Sequence, residues 1–451
     1  MMNKVLTLVL CLFWTGSQAD IVLPNASPHQ SVGTINCASS TCHGAITPWQ
    51  QSTVLQNEYT TWLRLDRHST AYNVLLNDKS QRIATSLGLK QPAYQSTICL
   101  DCHTHNPPAT LRGERYIVSE GVGCEACHGP AEKWLVSHTE KGTNHGDNVA
   151  NGLYPTEKPV QQVRLCLSCH FGDDSRFVTH RMMAAGHPRL SFEQGTFSAL
   201  EPPHYNIDVN WHKRKGDYDP LQMWAIGQAV ASEQLLNIFA NPKQGRDGLF
   251  PELVLFDCNA CHHRMSEKSY SPRLGLGPGR LHLNDSNLLM MSAIVADIDP
   301  SGSGAFNDQI KALHQAISGN ENEEDAIILA RNLSATIQRY INQLAQQHIG
   351  VAELTNILHN LINETSSNNY TDYAGAEQAY MSISSLATIL NRQVGLKNVA
   401  EINRHLSSMR NVLANEEKFV PETFKKELSA LRLAMQLPDH AVEPDGRGIK
   451  K

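Results

Sequence analysis

Five times in this 451-residue chain a close pair of cysteines is followed at once by histidine. The five copies are CASSTCH (Cys37, Cys42, His43), CLDCH (Cys99, Cys102, His103), CEACH (Cys124, Cys127, His128), CLSCH (Cys166, Cys169, His170) and CNACH (Cys258, Cys261, His262). Each copy has to close around whatever engages two thiols and an imidazole, and no hydrophobic pattern in the chain constrains the fold as tightly. Of 11 cysteines, only Cys11 lies outside a pair.

Three chemistries use cysteines at this spacing. Zinc knuckles do, but they do not require histidine directly after the second cysteine. Redox disulfides share the spacing and have no use for the histidine either. Covalent haem attachment needs all three groups: the thiols add to the two vinyl groups, and the imidazole becomes the proximal iron ligand. With 21 histidines in the chain, five such placements by chance have a probability on the order of 10⁻⁷. The sequence therefore reads as a multihaem c-type cytochrome carrying five covalently bound haem c groups. The first motif has four residues between its cysteines where the others have two. A loop that bulges outward lets it reach both vinyl groups; a Cys37–Cys42 disulfide with His43 incidental is the competing reading.

The N-terminus, MMNKVLTLVLCLFWTGSQAD, has the form of a secretory signal peptide over residues 1–19: a basic residue, a short apolar run and a small-residue cleavage site. That run is too short to span a bilayer, a retained anchor being the alternative. Export to the periplasm is the expectation, with no membrane span after cleavage. A net charge of −6 gives no basic footprint for nucleic acid.

All five motifs precede residue 263, and a Gly-rich stretch at 275–286 reads as a boundary. Residues 20–283 form the expected pentahaem domain. It has too little chain per haem for conventional cores, so the haems are expected to supply much of the apolar interior, linked by short helices and irregular loops. Residues 284–437 read as an all-α bundle. Leu329, Leu333, Ile337, Tyr340 and Leu344 repeat at helical spacing, as do Ala379, Ile383, Leu386 and Leu390. Residues 438–451 read as a flexible tail. The expected class is mainly α: a haem domain with little regular structure, then a helical bundle.

An iron with histidine on both faces passes electrons and binds nothing else; an open face permits chemistry. Eleven histidines outside the motifs precede residue 283. His68 lies in EYTTWLRLDRHSTAYNVLL, which reads as one amphipathic helix, and His138 ends the helical-looking GPAEKWLVSH. His180 and His187 flank a segment that Pro188 is expected to stop. These four, with His29 and His145, are the distal-ligand candidates. Met182 and Met183 read as packing residues, and His314, His348, His359 and His405 as ordinary histidines of the bundle.

GVGCEACHGPAEKW with His138, the Trp62…His68 segment ahead of CLDCH, and AAGHP after CLSCH together resemble the cytochrome c-554-like multihaem family. That family is related to hydroxylamine oxidoreductase and the pentahaem nitrite reductases. The resemblance spans roughly residues 35–265 and implies stacked haems, with His68, His138 and His187 as distal ligands. The chain departs from the family in having five motifs, an elongated first motif and an additional bundle. It also lacks the CxxCK motif typical of pentahaem nitrite reductases.

Two functions follow. One is a periplasmic electron carrier between redox partner proteins, such as membrane quinol-oxidase-type donors or periplasmic reductases. The other is an oxidoreductase acting on a small nitrogen or sulfur compound (hydroxylamine, nitrite, a tetrathionate-like species) at one five-coordinate haem. Arg181 and Arg189 are its candidate proton or anion partners, or else partners of haem propionates.

Overall fold

The computed structural model describes residues 22–50, 52–247, 250–262, 276, 280–319, 323–363 and 369–436. The signal peptide, the tail, His263 and residues 275 and 277–279 of the Gly-rich boundary lie outside these residues. The described chain is mainly helical; its regular β-structure is one antiparallel pair, β1 (Arg246–Asp247) with β2 (Phe250–Pro251).

The first half carries short helices: α1 (Glu58–Leu65), α2 (Asp78–Ser86), α3 (Thr97–His103), α4 (Cys124–His128), α5 (His145–Ala150), α6 (Pro159–His170), α7 (His180–Ala184), α8 (Gln194–Leu200) and α9 (Val209–Lys215). Single-turn 3₁₀ segments and loops join them. Its own apolar packing is thin. One cluster gathers Tyr72, Leu75, Ala84, Ala93 and Leu100, and a second gathers Leu87, Val178 and Met182. Helix α1 buries no residue at all, although Tyr59, Trp62 and Leu65 lie along it.

The second half comprises α10 (Pro220–Ala240), α11 (Ser286–Ile298), α12 (Ser303–Ser318), α13 (Glu323–Leu344), α14 (Val351–Asn363), α15 (Tyr373–Val394), α16 (Val399–Val412) and α17 (Pro421–Met435). Helix α10 starts where its sequence says it should. Asp219 caps the backbone N–H groups of Leu221 and Gln222, and Pro220 takes the first helical position. Apolar on nearly every side, α10 is the buried axis of the bundle, packed by α6, α8, α11 and α13. The stripe read from the sequence in α13 holds: Leu333, Ile337, Tyr340 and Leu344 are buried, as are Ala379, Ile383, Leu386 and Leu390 of α15. Val163 and Leu167 of α6 belong to the same core, so the helix carrying the fourth motif is seated directly on the bundle.

Three local expectations change. The stretch 58–76 is not one helix. Asp66 adopts an extended conformation, ends α1, and accepts a hydrogen bond from His68 N–H at the head of the next turn. A short acidic side chain competes with the helical backbone in just this way. Residues 129–138 form successive turns that end in a 3₁₀ segment, Ser137–Thr139. The helix before Pro188 stops earlier, at Ala184, and the turn that follows ends on Gly186. Its φ of 112° lets His187 N–H reach back to the Met182 carbonyl.

Candidate haem sites

The motif cysteines stand on one face because i and i+3 share a face of a helical turn. Motifs two, three and four are the C-terminal turns of α3, α4 and α6, and motif five opens with a 3₁₀ turn, Cys258–Ala260. In motif five, His262 N–H donates to the Cys258 carbonyl at 2.7 Å, four residues back. The elongated first motif makes the same bond: His43 N–H donates to the Cys37 carbonyl at 3.1 Å across six residues. Its surplus residues loop outward, leaving Ser39, Ser40 and Thr41 exposed. All ten motif cysteines are free thiols, so no disulfide joins Cys37 and Cys42.

The histidines come together in twos. An imidazole nitrogen binds a transition-metal ion at about 2 Å and its ring centre lies about 1 Å further back, so two imidazoles across one ion have centres about 6 Å apart. His43 and His138 stand 6.3 Å apart with an interplanar angle of 14°. His170 and His68 stand 6.1 Å apart at 83°, and His128 and His204 6.3 Å apart at 89°. His262 and His180 stand 6.2 Å apart at 34°. Every pair joins one motif histidine to one from outside the motifs. The charge of His103, the remaining motif histidine, bears on His187, whose proton affinity is lowered by burial first and by His103 as well.

What holds the rings is local. His43 Nδ1 lies 2.9 Å from Glu58 Oε2, and His68 Nδ1 lies 3.0 Å from Asp66 Oδ1. These carboxylate hydrogen bonds raise the proton affinity of both imidazoles. His103, His138 and His187 turn Nδ1 to the carbonyls of Ala71 (3.0 Å), Trp134 (3.2 Å) and Pro188 (2.8 Å). A carbonyl only accepts, so Nδ1 carries the hydrogen and Nε2 presents a bare lone pair, the state a metal needs. His128 and His170 are held neutral by burial, with proton affinities pushed down to about 4. Among the described residues, no three His, Cys, Asp or Glu side chains converge on a point as a bare metal ion would require.

His29 and His145 stand elsewhere. His145 Nε2 is taken by Glu157 at 2.7 Å, and Lys215 Nζ approaches the same ring at 2.8 Å. His29 lies 4.0 Å from Glu132 and packs on Gly152. In the bundle, His314 is buried beside Asp285, His405 bonds Glu427 and His348 reaches Asp219. The partner that the sequence reading passed over is His204, in the irregular run LEPPHYNID. The available signal was Pro202-Pro203, a stiff extended approach immediately before an imidazole.

The sites also adjoin one another. The Cys37 and Cys124 thiols perturb each other's proton affinity, as do those of Cys102 and Cys169. These effects link the first motif to the third and the second to the fourth. Cys127 feels the charges of Cys166 and Cys169, which links the third to the fourth. His180 and His187 lie on consecutive turns at α7, so the partners of His262 and His103 share one short segment.

The residues fit the group the motifs call for: thiols and imidazole on one face, ring pairs at axial spacing, anchored Nδ1 atoms, and a first half with little apolar core of its own. No curated protein and no solved structure matches the chain. Residues 36–129, the span of the first three motifs, match the family model described as cytochrome c554 and c-prime. Over that span the chain is similar to this cytochrome family, a resemblance that implies covalently bound haem c.

Proposed function

We propose that the chain is an exported pentahaem c-type cytochrome that passes electrons between redox partners in the periplasm, every iron held between two histidines. The residues that would hold the irons are the pairs His43/His138, His128/His204, His170/His68 and His262/His180, with His103/His187 as the fifth on the electrostatic effect of His103 on His187. The carrying observation is the recurrence of one separation, 6.1–6.3 Å, in four pairs that each join a motif histidine to a non-motif one. Bound haem supplies the one-electron couple. The chain's residues anchor His43, His68, His103, His138 and His187 through Nδ1, keep the buried His128 and His170 neutral, and set a second imidazole opposite each motif histidine, which would leave no open position for a substrate.

The motif contacts support one path running from the first site through the third, fourth and second to the fifth. Residues 20–283 carry the haems in this reading, residues 284–437 back them, and residues 1–19 direct export. No helix among the described residues is long and apolar enough to cross a membrane. The chain's net charge of −6, increased by haem propionates, favours a redox partner with a basic docking patch, such as a quinol-oxidising donor or a periplasmic reductase.

Low-temperature EPR of the oxidised holoprotein tests the reading. Low-spin ferric signals that ignore nitrite, hydroxylamine and sulfite are expected. A high-spin signal that shifts on adding any of them would replace the carrier with an oxidoreductase.

A further inference from the structure

The fifth motif adjoins a small cleft of ≈ 70 Å³ that the other described motifs do not line. Cys258, Asp257 and Phe256 form one wall, Arg189 and Leu190 another, and Leu235, Asn287 and Ala374 of α10, α11 and α15 close the back. Arg189 is the cation on that wall. Its Nη2 donates to Glu377 Oε2 of α15 at 2.8 Å, and its guanidinium lies over the Tyr373 ring at 5.4 Å. Ser191 hydroxyl donates to the same Glu377 oxygen at 2.7 Å, so Glu377 is fixed from two sides. Arg189 Nε is buried and bonds nothing among the described residues; its nearest acid there is Glu416 Oε2, at 3.7 Å.

A guanidinium with one edge tied down and another donor open suits a second carboxylate. We propose that Arg189 binds a propionate of the haem on Cys258 and Cys261, and that Glu377 sets how much of its positive charge that haem feels. This inference rests on the pentahaem reading and assigns the bundle a role there: α15 holds the charge that tunes the last site of the path. Glu416, more than a third exposed, turns to solvent when the propionate takes its place. A nearby cation favours the reduced iron, which carries one positive charge fewer. Removing Arg189 therefore lowers that haem's midpoint potential, whereas neutralising Glu377 raises it.

The test is a spectropotentiometric titration of the matured holoprotein and its variants Arg189→Gln, Arg189→Lys and Glu377→Gln. The fifth haem is identified as the wave missing from a Cys258→Ser/Cys261→Ser variant. Expected are a lower potential for that wave in Arg189→Gln, a higher one in Glu377→Gln, a near-native one in Arg189→Lys, and four unmoved waves throughout. Should Arg189→Gln fail to fold, the upward shift in Glu377→Gln decides alone. An unmoved fifth wave, two shifts of the same sign, or equal shifts in all five would overturn the assignment. Fewer than five haems on the native protein would instead defeat the pentahaem reading.

Discussion

His204 stands 6.3 Å from His128 with the two rings at 89°, although 76 positions separate them. His204 lies outside the attachment motifs, so His204→Ala should leave haem attachment intact and open one axial face. The expected result is an unchanged intact mass with one low-spin EPR signal converted to high spin. His145→Ala, which removes a ring already held by Glu157 and Lys215, should leave the EPR spectrum as it was.

Ring angles carry their own spectroscopic signature. Parallel imidazole planes split the two iron d-orbitals that point between the ligands and give a rhombic low-spin signal; perpendicular planes leave those orbitals nearly degenerate and push the largest g-value up. The His43/His138 iron, at 14°, should be rhombic, whereas the His170/His68 and His128/His204 irons, at 83° and 89°, should show the large-g form. His138→Ala should reduce the rhombic component, to which the His262/His180 iron at 34° also contributes, and spare the two large-g signals.

Asp66 serves the backbone and the site together, accepting from His68 N–H at 2.9 Å and meeting its Nδ1 at 3.0 Å. Asp66→Ala should cost about 1 kcal/mol for the lost cap. It should also free the His68 ring to rotate, so the large-g signal of the His170/His68 iron broadens. Asp66→Asn, which keeps the cap acceptor, should recover most of the stability. Denaturant unfolding and EPR on the same samples separate the two effects.

The bulge in the first motif is dispensable if the His43-to-Cys37 bond fixes the geometry. Excising Ser39 and Ser40 leaves CATCH, with the standard two-residue gap. The shortened protein should still mature with every haem and show the same rhombic signal. Loss of one haem mass would show that the exposed loop itself is needed for attachment.

Glu157 is an acid-sensitive group of the first half, as are Glu58 and Asp66. Burial opposes its charge, but its hydrogen bond from His145 and the nearby Lys215 ammonium prevail, and its pKa lies below the ordinary 4.5. A depressed carboxyl gives its full stabilisation above pH 4.5 and loses it as pH falls through the lowered folded value. Glu157→Gln should thus be less stable than native at pH 7. It should also lose less stability than native between pH 4.5 and pH 3, as urea midpoints would show.

The candidate haem attachment points are legible in the sequence because the chemistry they offer is local: Cys, Cys and His within one turn can be read without knowing the fold. Helical stripes such as Leu333–Leu344 were legible for the same reason. Axial partners are a different matter, since they depend on where distant loops return. His68, His138, His180 and His187 stood in segments with some helical pattern, whereas His204 sits behind two prolines with no periodicity to mark it. His29 and His145 stood lower among the candidates, and in the fold His145 Nε2 is taken by Glu157 at 2.7 Å while His29 lies 4.0 Å from Glu132. Two helix ends were also misjudged, because one Asp and one Gly outweighed longer patterns at positions 66 and 186. The bundle's reach back to α10 and α6 was hidden too, because a helix apolar on every side shows no stripe.

The central claim is that five haems are covalently seated on these five motifs, and intact-mass spectrometry of protein matured in a host with haem-ligation machinery weighs it directly. The account predicts the mature polypeptide plus five haem masses, with one mass lost for each motif whose two cysteines are replaced by serine. A polypeptide of unmodified mass, or one carrying four haems or fewer, would contradict it.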